Sequence, residues 1–272
     1  MYGAILGDII GQPYEFDMGN KSKEFPLFSK NPRFTDDSVM TIAICDGILK
    51  AGLEANEDTM KAFMIKSMQL WGNKYPHAGY GRKFYVWLAM ENTEPYNSWG
   101  NGSAMRVSSV GWFFETLERT REVARWSAEV THNHPEGIKG AEATASVIWM
   151  ARNGYFKTQI KEYIIKEFGY DLSRTCDEIR PDYHHVESCQ ETVPEAITAF
   201  LEGTNFEDVI RTAVSLGGDC DTLTDIATAM VEAFYGVPEV LKAKCLEYTK
   251  PDMHEVMKEF EKYQIPAKRV EA

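Results

Sequence analysis

Gly217-Gly218-Asp219-Cys220-Asp221-Thr222, running on to Ile226-Ala227-Thr228-Ala229-Met230-Val231, is the stretch on which the fold turns. Two carboxylates and a threonine hydroxyl open an apolar helix. Thr35-Asp36-Asp37 does the same at the other end of the chain, ahead of the run Ser38 to Leu49. Taken alone, each cluster reads equally well as a helix cap, because Thr and Asp satisfy free N–H groups and complement the helix dipole. Their shared composition favours a common site. Brought together, they set four carboxylates and two hydroxyls around one point. Such charges repel strongly at close range, and hard cations held by oxygen ligands relieve the repulsion. An EF-hand loop counted from Asp219 would need an acid or amide at Leu223, glycine at Thr224 and glutamate at Met230, so that arrangement is excluded.

Outward from these clusters the helical period dominates. Val39, Ile42, Ala43 and Leu49 follow three-four spacing, as do Met60, Phe63, Met64 and Trp71, and Val193, Ile197, Phe200 and Leu201. Alternating β-branched and aromatic runs are scarce. Glycines and prolines such as Gly72, Pro95, Gly154, Gly203 and Pro251 punctuate the helices. Loops are expected at 16–33, 92–102 and 169–192. The reading is one all-α domain over residues 1–272, with motifs confined to 1–236 and a helical extension over 237–272. The two acid clusters lie near opposite ends of the chain, so the termini and the centre must pack together.

Composition narrows the function. A chain of 272 residues with 44% hydrophobic and 12% aromatic residues can bury a sizeable core. A net charge of -12 makes nucleic acid an unlikely main partner, yet leaves a small anionic ligand open. The first residues do not read as a signal peptide, and no apolar run approaches a membrane span. Cys45, Cys176, Cys189, Cys220 and Cys245 show no CxxC spacing, which disfavours disulfide and zinc frameworks. A reduced, cytoplasmic protein is expected.

Three further segments carry chemistry. Gly7-Asp8-Ile9-Ile10-Gly11-Gln12-Pro13-Tyr14 leads to Glu15, and the glycines suggest a helix that another backbone approaches closely. Glu15, near the helix end, gains nothing from the dipole and is a candidate for function; Asp8 reads equally as a buried structural partner. Trp99-Gly100-Asn101-Gly102-Ser103 is a turn that opens a helix. It suits a phosphate, or is a plain turn, and matches neither the P-loop nor the dinucleotide fingerprint. Thr131-His132-Asn133-His134 lacks a third zinc ligand, so ligand hydrogen bonding or a polar loop are its two readings. His77, His184, His185 and His254 read as surface residues.

These five segments, in this order, resemble the ADP-ribosylglycohydrolase family, which includes the dinitrogenase reductase-activating glycohydrolases and the ADP-ribosyl-protein hydrolases. The matching text is Gly3 to Asp8 through Glu15, Phe34 to Ser38, Gly100 to Arg106, Thr131-His132 with Gly137 and Gly140-Ala141, and Ser215 to Thr222. The resemblance implies a compact single-domain orthogonal helical bundle with a central cleft for two divalent cations, Mg²⁺ or Mn²⁺. It implies Thr35, Asp36, Asp37, Asp219, Asp221 and Thr222 as ligands, and Glu15 and Asp36 as catalytic groups. Trp99, Gly100, Asn101, Gly102, Ser103, His132 and His134 would face ADP-ribose, with the backbone amides of the 100–103 turn holding its diphosphate. The implied reaction is hydrolysis of the ribosyl glycosidic bond of an ADP-ribosylated protein or small-molecule conjugate, releasing ADP-ribose. Hydrolysis of another riboside such as O-acyl-ADP-ribose, or silent binding of ADP-ribose, are the alternatives. One departure stands out: Pro95-Tyr96-Asn97-Ser98-Trp99 lacks the acid that some members carry there. Selection of the acceptor would fall to 16–33, 72–82 and 169–192, which hold no motif.

Overall fold

Tyr2–Gly11, the first helix, buries every one of its residues, as its apolar sequence on all faces requires. It lies along Cys220–Tyr235, which is buried from Cys220 to Ala233, and in the computed structural model no other pair of helices among the described residues packs more extensively. Glycines permit this. A Cβ at Gly3 would sit 2.3 Å from the Thr228 carbonyl oxygen, one at Gly7 2.5 Å from that of Thr224, and one at Gly11 2.5 Å from that of Cys220. The ascending and descending steps of four show that the helices run antiparallel, one turn per contact. The end of the first helix therefore lies beside the start of the second, which puts Glu15 next to Asp219 and Asp221.

The structure describes residues 1–19, 21–91 and 93–268. Asn20 and Asn92, in two of the expected loops, and 269–272, the end of the expected extension, lie outside the described residues. Among the described residues there are fifteen α-helices and no β-strand, with a single isolated bridge between Gly100 and Ser188. The protein is all-α, as the sequence period predicts. Asp36–Ala51 carries the first acid cluster at its start and packs on Glu57–Lys74. Its N-cap Thr35 accepts from the Asp37 N–H at 3.3 Å, so the capping reading of this cluster holds in part.

The expected loop 169–192 is partly wrong. Cys176–Ile179 forms a short helix, and Cys189–Glu202 begins inside the segment. Thr175 accepts from the Glu178 N–H while the Glu178 side chain reaches back to the Thr175 N–H, a capping box legible in the sequence. The C-terminal helices Glu239–Tyr248 and Pro251–Tyr263 are tied to the core. Phe260 meets Phe113 edge-on at 5.3 Å, and the Ile265 N–H donates to the Trp112 carbonyl at 2.9 Å. All five cysteines are unpaired and buried, and among the described residues no helix is long and apolar enough to cross a membrane.

Candidate active site

A cleft of about 370 Å³ opens where the two acid-bearing helices begin. Glu15, Asp36, Asp37, Asp219, Asp221 and Thr222 all line it. Oxygens of Glu15, Asp219 and Asp221 lie within 4.8 Å of one another. The second cluster is not a conventional cap. Asp219 makes no side-chain capping bond; its Oδ2 instead accepts from Asn101 Nδ2 at 2.6 Å.

The charges are uncompensated. Among the described residues, no lysine or arginine forms an ion pair with any of these five carboxylates. Burial, then the Asp219 charge, lifts the Glu15 carboxyl to about 7. Burial and then Asp8 lift Asp36 to about 8. Asp37 is held well above the usual carboxylate range by burial and by Asp221, and Asp221 by burial and by Asp219. Buried Oδ1 of Asp37 has no hydrogen-bond partner, which is costly for a polar atom unless something else meets it.

Asp8 underlies the first cluster. Completely buried, it accepts from the Thr35 N–H and hydroxyl, both at 2.8 Å, and from the Ser38 N–H at 3.1 Å and the Ser38 hydroxyl. It is the structural partner that its place in an apolar helix suggested. Thr35 thereby points its hydroxyl proton at Asp8 and does not line the cleft.

The 99–103 turn meets the cleft only in part. The Gly100 N–H donates to Ser98 Oγ at 3.1 Å and the Asn101 N–H to the Glu187 carbonyl at 2.9 Å, so neither is free for a phosphate. Ser103 is fully buried and donates to the Gly137 carbonyl at 2.7 Å, away from the cleft. His134 is spent on capping Pro135–Arg152, accepting from the Glu136 N–H at 3.1 Å. Trp99 is half exposed and rests against His134, outside the cleft. Gly100, Asn101, Gly102 and His132 do line it.

Sequence reasoning missed several groups. Asp17 bridges the Gly218 N–H at 2.9 Å and the His185 N–H at 3.1 Å, tying the Glu15 loop to the second acid cluster. His185, read as a surface residue, lies against Phe16 with ring centres 4.8 Å apart and tilted by 34°, and bonds Glu187 at 3.1 Å. Phe16 and Asp17 adopt φ of 56° and 57°, a conformation rare for residues with a side chain and concentrated at functional sites. Arg82 and Lys83, exposed at the cleft, and buried Arg106 add positive charge. Apart from Arg106, which closes the 100–106 segment, these residues lie outside the motifs, and only the fold assembles them.

A family model described as ADP-ribosylglycohydrolase matches residues 1–268. The chain belongs to the ADP-ribosylglycohydrolase family. The match runs past residue 236, so the family's domain takes in the C-terminal helices that the sequence presents as an extension. ADP-ribosylhydrolase ARH3 of Bos taurus is 26% identical, with 92% of this chain and 88% of that protein covered. ADP-ribosylarginine hydrolase Tri1 of Pseudomonas putida (strain GB-1) is 23% identical, covering 87% and 70%. A solved ADP-ribosylglycohydrolase-related protein complex superposes with a TM-score of 0.71 at 19% identity, covering 97% of each chain, and shares the all-α fold. As an ADP-ribosylglycohydrolase the protein is a hydrolase of ADP-ribosyl bonds.

Proposed function

We propose that this ADP-ribosylglycohydrolase is metal-dependent and cleaves the ribosyl bond of an ADP-ribosylated protein or small-molecule conjugate, releasing ADP-ribose. The observation that carries the reading is the meeting of Glu15, Asp219 and Asp221 oxygens within 4.8 Å on a cleft shared with Asp36 and Asp37. An all-oxygen donor set with an orphaned, buried carboxylate oxygen fits hard divalent cations. Asp36, Asp37, Asp219 and Asp221, with the hydroxyl of Thr222, are the proposed ligands, and Thr35, turned to Asp8 outside the cleft, holds the first cluster in place. Two bound Mg²⁺ or Mn²⁺ ions would neutralise this charge and acidify a coordinated water.

The chain's own groups divide the remaining work. Glu15, at the edge of the cluster, holds a proton more tightly than an ordinary carboxylate and takes one from the attacking water, a contribution of ~10²- to 10⁴-fold. Asp36, on the same cleft, is the other carboxylate proposed for that role. Asn101 orients Asp219 through Nδ2. Arg82 and Lys83 give the anionic diphosphate a local positive partner on an otherwise acidic protein. The ribose gains positive charge at its anomeric carbon as the bond breaks, and the carboxylates beside it favour that charge. No covalent nucleophile is needed. Cys220 is fully buried with its thiol pushed up by burial and by Asp221, and Ser103 faces Gly137.

The test is ADP-ribose release from arginine-, serine- and aspartate-linked proteins, with EDTA and with added Mg²⁺ or Mn²⁺. Release from at least one linkage that stops in EDTA and returns with metal is expected. Undiminished release by an Asp36→Asn, Asp219→Asn double variant would sink the metal mechanism.

A further inference from the structure

We infer that Arg106 and Thr131 fix His132 as the neutral tautomer protonated on Nε2, so that the ring offers the cleft a hydrogen-bond donor. Arg106 is 1% exposed, and its Nη2 donates to the Ser127 carbonyl at 2.7 Å and to Thr131 Oγ1 at 2.8 Å. Thr131 Oγ1 lies 2.7 Å from His132 Nδ1. A guanidinium has donors only, and a threonine hydroxyl has one proton to give. With its oxygen accepting from Arg106, the hydroxyl has one other partner among the described residues, which is Nδ1. The proton points there, Nδ1 accepts it, and the ring's own proton sits on Nε2. A doubly protonated ring would turn a second donor on the same hydroxyl and place two cations together in the interior. Burial, and then Arg106, hold His132 well below the usual histidine range, in keeping with a neutral ring.

Nε2 faces the glycine turn. A Cβ on Gly102 would sit 3.2 Å from it, and one on Gly100 3.4 Å. The missing side chains leave this nitrogen room to meet a ligand, and Gly100, Gly102 and His132 all line the cleft. The complementary ligand atom is an oxygen acceptor, a phosphate or sugar oxygen of ADP-ribose. That last step rests on the proposed function; the tautomer rests on the hydrogen-bond chain alone. Arg106 and Thr131 are positioning residues, acting through His132.

Long-range ¹H–¹⁵N correlation spectra of protein labelled in its six histidines, with His132→Gln assigning the signal, read the tautomer directly. The wild-type protein should show His132 protonated on Nε2 alone at neutral pH. Thr131→Ser, which keeps the hydroxyl, should preserve that pattern and the affinity for ADP-ribose. Thr131→Val should lose the pattern and bind ADP-ribose about tenfold more weakly, with the other five signals unmoved as the sign of an intact fold. An Nδ1-protonated or doubly protonated ring in the wild type would overturn the inference, as would a folded Thr131→Val protein that binds like wild type. A wild type with the expected tautomer that ignores ADP-ribose would uphold the hydrogen-bond chain and count against the substrate reading.

Discussion

Asp8 grips Thr35 twice, accepting from its backbone N–H and from its hydroxyl at 2.8 Å each. The two residues sit on different elements, so the first helix sets the geometry of the first acid cluster. Asp8→Asn keeps the shape and removes an acceptor oxygen, leaving buried donors of Thr35 or Ser38 unmet at about 1–3 kcal/mol each. The variant should melt several degrees lower and lose at least about tenfold in kcat/KM, because Asp36 and Asp37 follow Thr35 directly. A thermal melt with a steady-state assay checks both, and wild-type kcat/KM in the folded variant would contradict the positioning role.

Metal-free stability should fall as pH rises. Asp36 near 8 and Glu15 near 7 lie above their ordinary values of 3.8 and 4.5. The folded chain therefore retains protons that the unfolded chain has released, and the slope of unfolding free energy against pH is negative. This contribution is fully present below the ordinary values and is lost as pH rises through 7 to 8. In EDTA the melting temperature should drop between pH 5.5 and 8.5. Added Mn²⁺ should restore most at the high end, since binding displaces those protons. A melting temperature in EDTA that is flat or climbs over this range would refute the account.

Gly11→Ala and Gly3→Ala separate packing from function. Both place a Cβ against Cys220–Tyr235, at 2.5 Å from the Cys220 oxygen and 2.3 Å from the Thr228 oxygen respectively. Overpacking of this kind costs about 1–3 kcal/mol, so both should lower the melting temperature. Gly11→Ala also meets Asp221 Cα at 2.7 Å and should cost activity beyond its cost in stability. Equal specific activity of the two folded variants would show that the acid cluster tolerates the shift.

How far the sequence was readable follows from where each signal is stored. Helical period and the two acid clusters are local, so the all-α fold and the residues around the cleft could be read directly. The glycines at 7 and 11 announced a close helix pair, yet only the structure reveals the partner and adds Gly3 to the contact. In the 99–103 turn, composition could not show that Gly100 and Asn101 commit their N–H groups to Ser98 and Glu187. His134 and Ser103 carry polar groups that serve their own segment or its neighbour, which a motif cannot distinguish from ligand contact. Asp17, His185 and Arg106 gain meaning only from residues far away in the chain.

Asn101 should tune metal affinity while Trp99 should not. The Asn101 amide donates to Asp219 at 2.6 Å and to Thr192 Oγ1 at 3.1 Å, so it is held from one side and holds a proposed ligand from the other. Groups that orient a metal ligand change affinity by about 10- to 100-fold when removed. Asn101→Ala should weaken Mn²⁺ binding by that order in calorimetric titration. Trp99→Ala, half exposed and outside the cleft, should leave Mn²⁺ affinity within about twofold, as surface substitutions away from special features do. Matching affinities for Asn101→Ala and wild type would mean that Asp219 either needs no help to hold its orientation or is not a ligand, and Asp219→Asn in the same titration tells these apart.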